Sequence, residues 1–334
     1  MKPARVAVLG GGRSSEHEVS LASAASVSSG LRDAGHEPLW IEVGRDGVWR
    51  RDGGVEVAVR PGCGLEGVDV VFPALHGPFG EDGTVQGLLE CLGIPYVGAG
   101  VLASALCMDK VMFKELMASA GLPQVAYRAV AAREFESERS AVLDALGRLG
   151  LPVFVKPARL GSSVGIVRAA SPAELPAALQ TAFEHDALAI VEAAARGLEV
   201  ECSVIGNGDP VASEPGEIVL AAGEAGWYDY EAKYTPGGMQ LQVPARVPVR
   251  VRERIQTVAI EAFRRTGCSG LARVDFFVEG ERVLLNELNT MPGFTSTSVF
   301  ASLFEASGVP YAELLERLVA LAFERHAAGQ RHRH

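Results

Sequence analysis

Two apolar runs near the C-terminal end carry charges where a buried strand normally has none, and this restricts the folds open to the chain. The runs are Gly270-Leu271-Ala272-Arg273-Val274-Asp275-Phe276-Phe277 and Val283-Leu284-Leu285-Asn286-Glu287-Leu288-Asn289-Thr290, separated by a turn at Glu279-Gly280-Glu281. Side chains alternate across a strand, so Arg273 and Asp275 share one face, and Glu287 and Asn289 share one face of the return strand. Across this turn, Asp275 is expected opposite Glu287, so that all four polar groups converge. Charges in such apolar strands are costly without a counter-ion. Two carboxylates and an amide oxygen form a hard donor set suited to Mg²⁺ or Mn²⁺, with substrate phosphates filling the remaining positions. A plain hairpin with a wet outer face is the alternative.

The N-terminal hundred residues have a different rhythm. Val6-Ala7-Val8-Leu9 reads as a buried strand, Gly10-Gly11-Gly12 as a turn and residues 19–34 as a helix ended by Gly35, with further strands at 39–43, 68–75 and around 94–98. Such βαβ units build parallel sheets with ligand sites at the carboxyl ends of the strands. Long helical runs then reach residue 118. A second block has strands near 127–130, 153–156 and 189–192, with helices near 134–149 and 172–185; Ser171-Pro172 reads as N-cap and first helical residue. The chain turns strand-rich after residue 198. These patterns give an α/β protein with linkers near residues 98 and 192.

Bulk composition narrows the function. A chain of 334 residues exceeds one ordinary core, so two or three domains are expected. A net charge of −10 disfavours a nucleic-acid surface, and no apolar stretch is long enough to span a membrane. The N-terminus runs into a strand pattern without a signal-peptide core, which predicts a cytoplasmic protein. The five cysteines are scattered without a C-x-x-C pair, so reduced thiols are expected. The Arg331-His332-Arg333-His334 ending reads as a frayed tail.

Several loops offer ligand chemistry. Gly98-Ala99-Gly100-Val101-Leu102-Ala103 imitates a dinucleotide fingerprint, but lacks the acidic partner some 20 residues on, so close helix packing explains it better. There is no P-loop. In Val153-Phe154-Val155-Lys156-Pro157-Ala158-Arg159-Leu160-Gly161-Ser162-Ser163-Val164-Gly165-Ile166, Lys156 ends a strand beside a small-residue loop, either a phosphate clamp or an exposed lysine in a hairpin. The loop from Thr290 through Gly293 to Ser298 opens an apolar helix, where N–H and hydroxyl groups suit a carboxylate or oxyanion; Ser298 could equally cap that helix. Two more loops follow N-terminal strands: Gly11-Gly12-Arg13-Ser14-Ser15-Glu16-His17-Glu18-Val19-Ser20 and His76-Gly77-Pro78-Phe79-Gly80-Glu81-Asp82-Gly83. Finally, Trp227-Tyr228-Asp229-Tyr230-Glu231-Ala232-Lys233-Tyr234 suggests an aromatic lid.

Taken in order, these motifs, with Met108-Asp109-Lys110, resemble the D-alanine–D-alanine ligases of the ATP-grasp superfamily, from Gly10 to about Leu321. The resemblance implies a three-domain ATP-grasp fold: an N-terminal Rossmann-like substrate domain (1–98), a central subdomain with a phosphate-covering loop (99–192), a C-terminal catalytic subdomain with metal site and lid (193–325), and a disordered tail (326–334). Nucleotide is then held between the central and C-terminal parts. The resemblance further implies ATP and two Mg²⁺ (or Mn²⁺) per site, with Asp275, Glu287 and Asn289 as metal ligands. Lys110, Lys156, Ser162 and Ser163 would meet the phosphates, Glu192 and Ala195 would frame adenine and Glu199 would take the ribose. Glu16 and His76 match residues at the first D-alanine, Lys233 and Ser298 those at the second. Arg273 and the Gly293 N–H would stabilise the tetrahedral intermediate, and Glu16, Ser162 and Tyr234 would latch the lid. The implied product is D-alanyl-D-alanine for peptidoglycan precursors, made by a cytoplasmic homodimer from small-molecule substrates. Rival readings are a D-alanine–D-lactate or D-alanine–D-serine ligase, a non-catalytic nucleotide sensor and, most weakly, a nicotinamide oxidoreductase.

Overall fold

The computed structural model describes residues 2–161, 163–220 and 239–331. Ser162, Lys233, Tyr234 and the rest of the aromatic run at 227–234 lie outside the described residues.

The first sheet is built on β1 (Arg5–Gly11), flanked in parallel by β2 (Glu37–Val43) and β5 (Val70–Pro73); β3 (Trp49–Arg51) and β4 (Val55–Glu56) extend it in the order β4-β3-β2-β1-β5. Residues 6–9 form a continuous apolar run because both faces of β1 are covered. Val6 and Val8 pack on α1 (His17–Asp33), while Ala7 and Leu9 face α2 (Thr84–Leu92). The strand expected around 94–98 shrinks to a single parallel bridge, Val71 to Tyr96. The ladder stops there because its next donor toward the Val97 carbonyl would be Pro73, which has no N–H; on the other side Tyr96 O and Gly98 O accept from the Arg325 guanidinium.

Helices α3 (Val101–Met108) and α4 (Lys110–Ser119) break at Asp109, whose carboxylate caps α4 by accepting from the N–H groups of Val111 and Met112. The second sheet follows: β6 (Tyr127–Ala131), β7 (Val153–Pro157), β8 (Val167–Ala169) and β9 (Leu188–Ala193), antiparallel in the order β6-β9-β7-β8. Helices α5 (Ala132–Ser137), α6 (Arg139–Gly147) and α7 (Leu175–Phe183) close its apolar face. Helix α7 starts three residues later than its apparent Ser171-Pro172 signal. Glu174 takes over the loop, accepting from the Ala170 N–H and the Ser171 hydroxyl, so Ser171 caps nothing.

The third sheet runs β13 (Met239–Gln242), β12 (Gly216–Leu220), β10 (Leu198–Gly206), β14 (Gly270–Glu279), β15 (Arg282–Asn289), with β11 (Val211–Ala212) on β10. One face is apolar: Val200, Cys202, Val274, Phe276 and Leu288 bury against α4 and α8 (Val249–Arg265). Its other face carries the polar residues.

After β15 the chain returns to the N-terminal sheet. Helices α9 (Val299–Ala306) and α10 (Tyr311–Gly329) pack Phe300, Leu314, Leu315 and Leu318 against Val6, Val8 and Phe72. Helix α10 continues to Gly329, four residues into the stretch expected to be a disordered tail. The Gln330 N–H still bonds to the His326 carbonyl, so the helical ladder outlasts its buried face.

Candidate active site

The polar hairpin forms as the alternation demands, but by another route. The turn holds two residues, Gly280 and Glu281, since Glu279 pairs with Arg282. That register alone would set Asn286 opposite Asp275 and turn Glu287 into the core. A bulge absorbs Asn286, and beyond it Asp275 faces Glu287 and Arg273 faces Asn289. Arg273 grips Asp275 bidentately at 2.7 Å for each bond and lies 2.8 Å from Glu201 on the neighbouring strand. Asn289 donates its amide N–H to Asp275 at 3.0 Å, leaving its carbonyl oxygen for another partner. Glu287 pairs with Lys110 at 3.2 Å, and Lys110 also donates to the Leu160 carbonyl at 3.1 Å. A lysine at the start of α4 is thereby tied both to this hairpin and to the loop after β7.

The opposite wall comes from β7 and β9. Lys156 leaves the end of β7 and pairs with Glu192 of β9 at 2.5 Å; Lys114 of α4 takes the other oxygen of the same carboxylate at 3.1 Å. Burial pushes the Glu192 carboxyl up, but the two ammonium groups overcome it and hold the group down at about 2. The side chain of Glu192 is therefore occupied beneath the site, and only its backbone remains for the adenine-reading strip expected at 192–195. Within that strip the Ala193 and Ala194 N–H groups bond to Ala126 and Pro152, while Ala193 and Ala195 face the cavity. Ser163, in the loop beyond Lys156, adopts a left-handed φ of 59°.

The two N-terminal loops lock together. Ser14 donates its hydroxyl to the His76 carbonyl at 2.7 Å, and Ser20 donates to the Ala74 carbonyl at 2.6 Å. The His76 ring is buried between Ser23 Oγ at 2.8 Å from Nε2 and the Met291 carbonyl at 3.0 Å from Nδ1. Since a carbonyl only accepts, Nδ1 carries the proton and Nε2 accepts from Ser23. Burial keeps the ring neutral by lowering its basicity. Gly77 has a φ of 70°, and a Cβ there would sit 2.4 Å from a Glu16 carboxylate oxygen, so only glycine admits Glu16 so close to this loop. Glu81 accepts from the Gly77 N–H at 3.0 Å; burial, and next Glu16, push its carboxyl up to about 8.

The 290–298 loop closes the site. The Phe294 N–H bonds to Ser23 Oγ at 3.2 Å, joining the network of His76. Ser298 does not cap α9 with its side chain; its hydroxyl turns back to accept the Thr295 N–H at 3.0 Å, 3.3 Å from where a Gly293 Cβ would lie.

These walls enclose a cavity of about 900 Å³. Glu16, His76, Lys110, Lys156, Ser163, Glu192, Ala195, Glu199, Arg273, Glu287, Asn289, Gly293 and Ser298 all line it, while Asp275, 3% exposed, lies just behind Arg273. Glu81 and Ser23 also line the cavity, and Glu201 and Lys114 support it from beneath. The sequence reading singled out none of these four. Ser23 and Lys114 left no local signal, but Glu201 sits where β10 places it opposite Asp275, and Glu81 lies inside a loop already marked. Among the described residues no cluster of three His, Cys, Asp or Glu is poised for a metal. The hairpin face offers two carboxylates, Asp275 and Glu287, and the amide oxygen of Asn289.

Comparison with known proteins points to one family. The family profile described as the D-ala D-ala ligase C-terminus matches residues 116–320, and that of the N-terminus matches 5–63 and 59–99. A D-alanine--D-alanine ligase of Deinococcus radiodurans is 49% identical, over 96% of this chain and 98% of its own length. One from Geobacillus kaustophilus is 46% identical, over 98% and 96%. Among solved structures, the D-alanine-D-alanine ligase from Coxiella burnetii superposes with a TM-score of 0.87 at 34% identity, over 99% of this chain and 97% of that one. The VanG D-Ala:D-Ser ligase from Enterococcus faecalis gives 0.85 at 35% identity, over 96% and 100%. With its hairpin, its lysine-bearing wall and matches across both halves, the chain belongs to the D-alanine–D-alanine ligase family.

Proposed function

We propose that the protein joins two D-alanines into D-alanyl-D-alanine for peptidoglycan precursors, cleaving ATP to ADP and phosphate. The observation that carries this reading is one cavity in which the Arg273, Glu287 and Asn289 face of the third sheet meets Lys110 and Lys156. A polyphosphate fits between the two sheets, with Lys110, Lys156 and the loop of Ser162 and Ser163 toward the phosphates. Ala195 and the backbone at Glu192 then border adenine, and Glu199 the ribose. Glu16, beside Gly161 of the Ser163 loop, and His76 would take the first D-alanine, and Ser298, together with Lys233, the second.

The donor chemistry fits a divalent cation. Among the described residues six glutamates line the cavity against Lys110, Lys156 and Arg273, so a polyphosphate needs added positive charge to enter. Asp275, Glu287 and the free oxygen of Asn289 would hold Mg²⁺ or Mn²⁺, two ions per site, supplying charge neutralisation along the phosphates. The residues themselves do the rest. The first D-alanine carboxylate attacks the γ-phosphate in line, giving an acyl phosphate and ADP, with Lys110 and Lys156 spreading the charge. The neutral amine of the second D-alanine attacks the acyl carbon, and Arg273 and the Gly293 N–H receive the oxyanion as phosphate leaves. Glu16, Ser162 and Tyr234 latch the lid, which excludes water from the acyl phosphate.

The reading includes the three-part division at residues 98 and 192 and a cytoplasmic homodimer without nucleic-acid or membrane partners. No helix among the described residues is long and apolar enough to cross a membrane, and sedimentation velocity tests the dimer. The deciding experiment supplies ATP, Mg²⁺ and D-alanine to purified protein. Phosphate release with a product of the mass of D-alanyl-D-alanine is expected. Release only after adding D-lactate or D-serine replaces the second substrate, and ATP binding without turnover points to a sensor.

A further inference from the structure

We propose that Lys114 is a positioning residue that keeps Lys156 available to the nucleotide phosphates by sharing the charge of Glu192. The inference rests on the nucleotide assignment above, and its geometry is asymmetric. Lys156 and Lys114 each take one oxygen of the Glu192 carboxylate, at 2.5 and 3.1 Å. Lys156 faces the cavity, whereas Lys114 is 1% exposed and does not line it. Lys114 therefore cannot touch a ligand, and whatever it does for binding passes through Glu192. Burial opposes its charge and Glu192 is the carboxylate that chiefly offsets this, with a smaller contribution from Glu287; the Tyr127 ring centroid lies 5.7 Å away, and Tyr127 pairs with Glu192 across β6 and β9.

The charge balance gives Lys114 its purpose. A buried pair of Lys156 and Glu192 alone is neutral, and the carboxylate would compete with an arriving phosphate for the same ammonium. With Lys114 present the triad of Lys114, Lys156 and Glu192 keeps one surplus positive charge, and Lys156 is its cation that faces the cavity. Glu192, held ionised by both lysines, remains the fixed partner about which Lys156 can turn. Lys114 thus stabilises Glu192 from behind, where water cannot.

The test measures ADP binding, with Mg²⁺, beside adenosine as a ligand without phosphate, in isothermal titrations. Lys114→Met is expected to weaken ADP about tenfold, leave adenosine unchanged, and raise KM for ATP with little effect on KM for D-alanine. The double variant Lys114→Met/Glu192→Gln restores the surplus charge and is expected to recover ADP affinity to near the parent value. A structural role alone would move adenosine and ADP together and would not be rescued by the second substitution. Should Lys114→Met alone fail to fold, the double variant, which leaves no half-paired buried carboxylate, carries the test. Equal ADP affinity in Lys114→Met and the parent, parallel loss of both ligands, or weak ADP binding by a folded double variant overturns the proposal. A parent protein that binds no ADP sinks the nucleotide assignment instead.

Discussion

Glu287 holds Lys110 and stands opposite Asp275, so its charge matters more than its shape. Glu287→Gln keeps the volume and the hairpin, and is expected to lower phosphate release by orders of magnitude while the melting temperature changes little. A variant near the parental rate refutes the assignment. Glu81 makes a prediction in pH. Its folded carboxyl sits at about 8, above the 4.5 of the free group, so the folded state favours the proton. The stability it contributes is present below about pH 4.5 and is lost as pH rises through 8. Melting temperature is therefore expected to fall more steeply across that window in the parent than in Glu81→Gln, and parallel curves would remove Glu81 as the source. Glu192 behaves in the opposite sense: held at about 2, it contributes stability above 4.5 that disappears as acid approaches 2. At this scale the sequence was legible where chemistry contradicts surroundings. Asp275 and Glu287 were visible because charges interrupt apolar strands. Lys114 was not, because a lysine four residues after Lys110 reads as an ordinary exposed helix position, and only the fold turns that face of α4 onto Glu192.

Among the elements, the hairpin of β14 and β15 depends on its bulge. Val283, Leu285 and Leu288 all face the core, two residues apart and then three, and that broken alternation is the sequence trace of the extra residue. Asn286 is the residue absorbed. Deleting it leaves Glu287 opposite Asp275 and Asn289 opposite Arg273, so the variant is expected to fold and to retain measurable ligation. Deleting Leu285 instead draws Asn286 into the core position opposite Phe276, which costs roughly 3 kcal/mol or more. Equal melting temperatures for the two deletions would contradict the bulge. The pairing itself was readable from alternation, whereas the turn length was not, because Glu279-Gly280-Glu281 fits two-residue and three-residue loops alike. The start of α7 misled for a similar reason: Ser171-Pro172 has the chemistry of a cap, but Glu174 offers the same donors a carboxylate.

Across the whole molecule, helix α10 completes the N-terminal core. Tyr311 lies against Gly30, where an added Cβ would meet its ring at 2.7 Å, and Tyr311 also donates its hydroxyl to the Phe294 carbonyl at 2.7 Å. Arg325 reaches the Tyr96 and Gly98 carbonyls at 3.1 and 3.0 Å and stacks over the Tyr96 ring. Truncation before Tyr311 is expected to yield insoluble protein, and truncation after Gly329 to leave melting temperature and activity unchanged; a soluble, cooperatively melting product of the shorter cut would show that the N-terminal part is self-sufficient. The order of sheets was legible from local patterns, but this return was not, since periodicity says that a helix has an apolar stripe and not which sheet receives it. The return sets a schedule for biosynthesis. At roughly 5–20 residues per second, β1 leaves the ribosome tens of seconds before α10 exists. Until α10 emerges, the side of β1 that bears Val6 and Val8 is covered by α1 alone, and the nascent chain is then most vulnerable to aggregation.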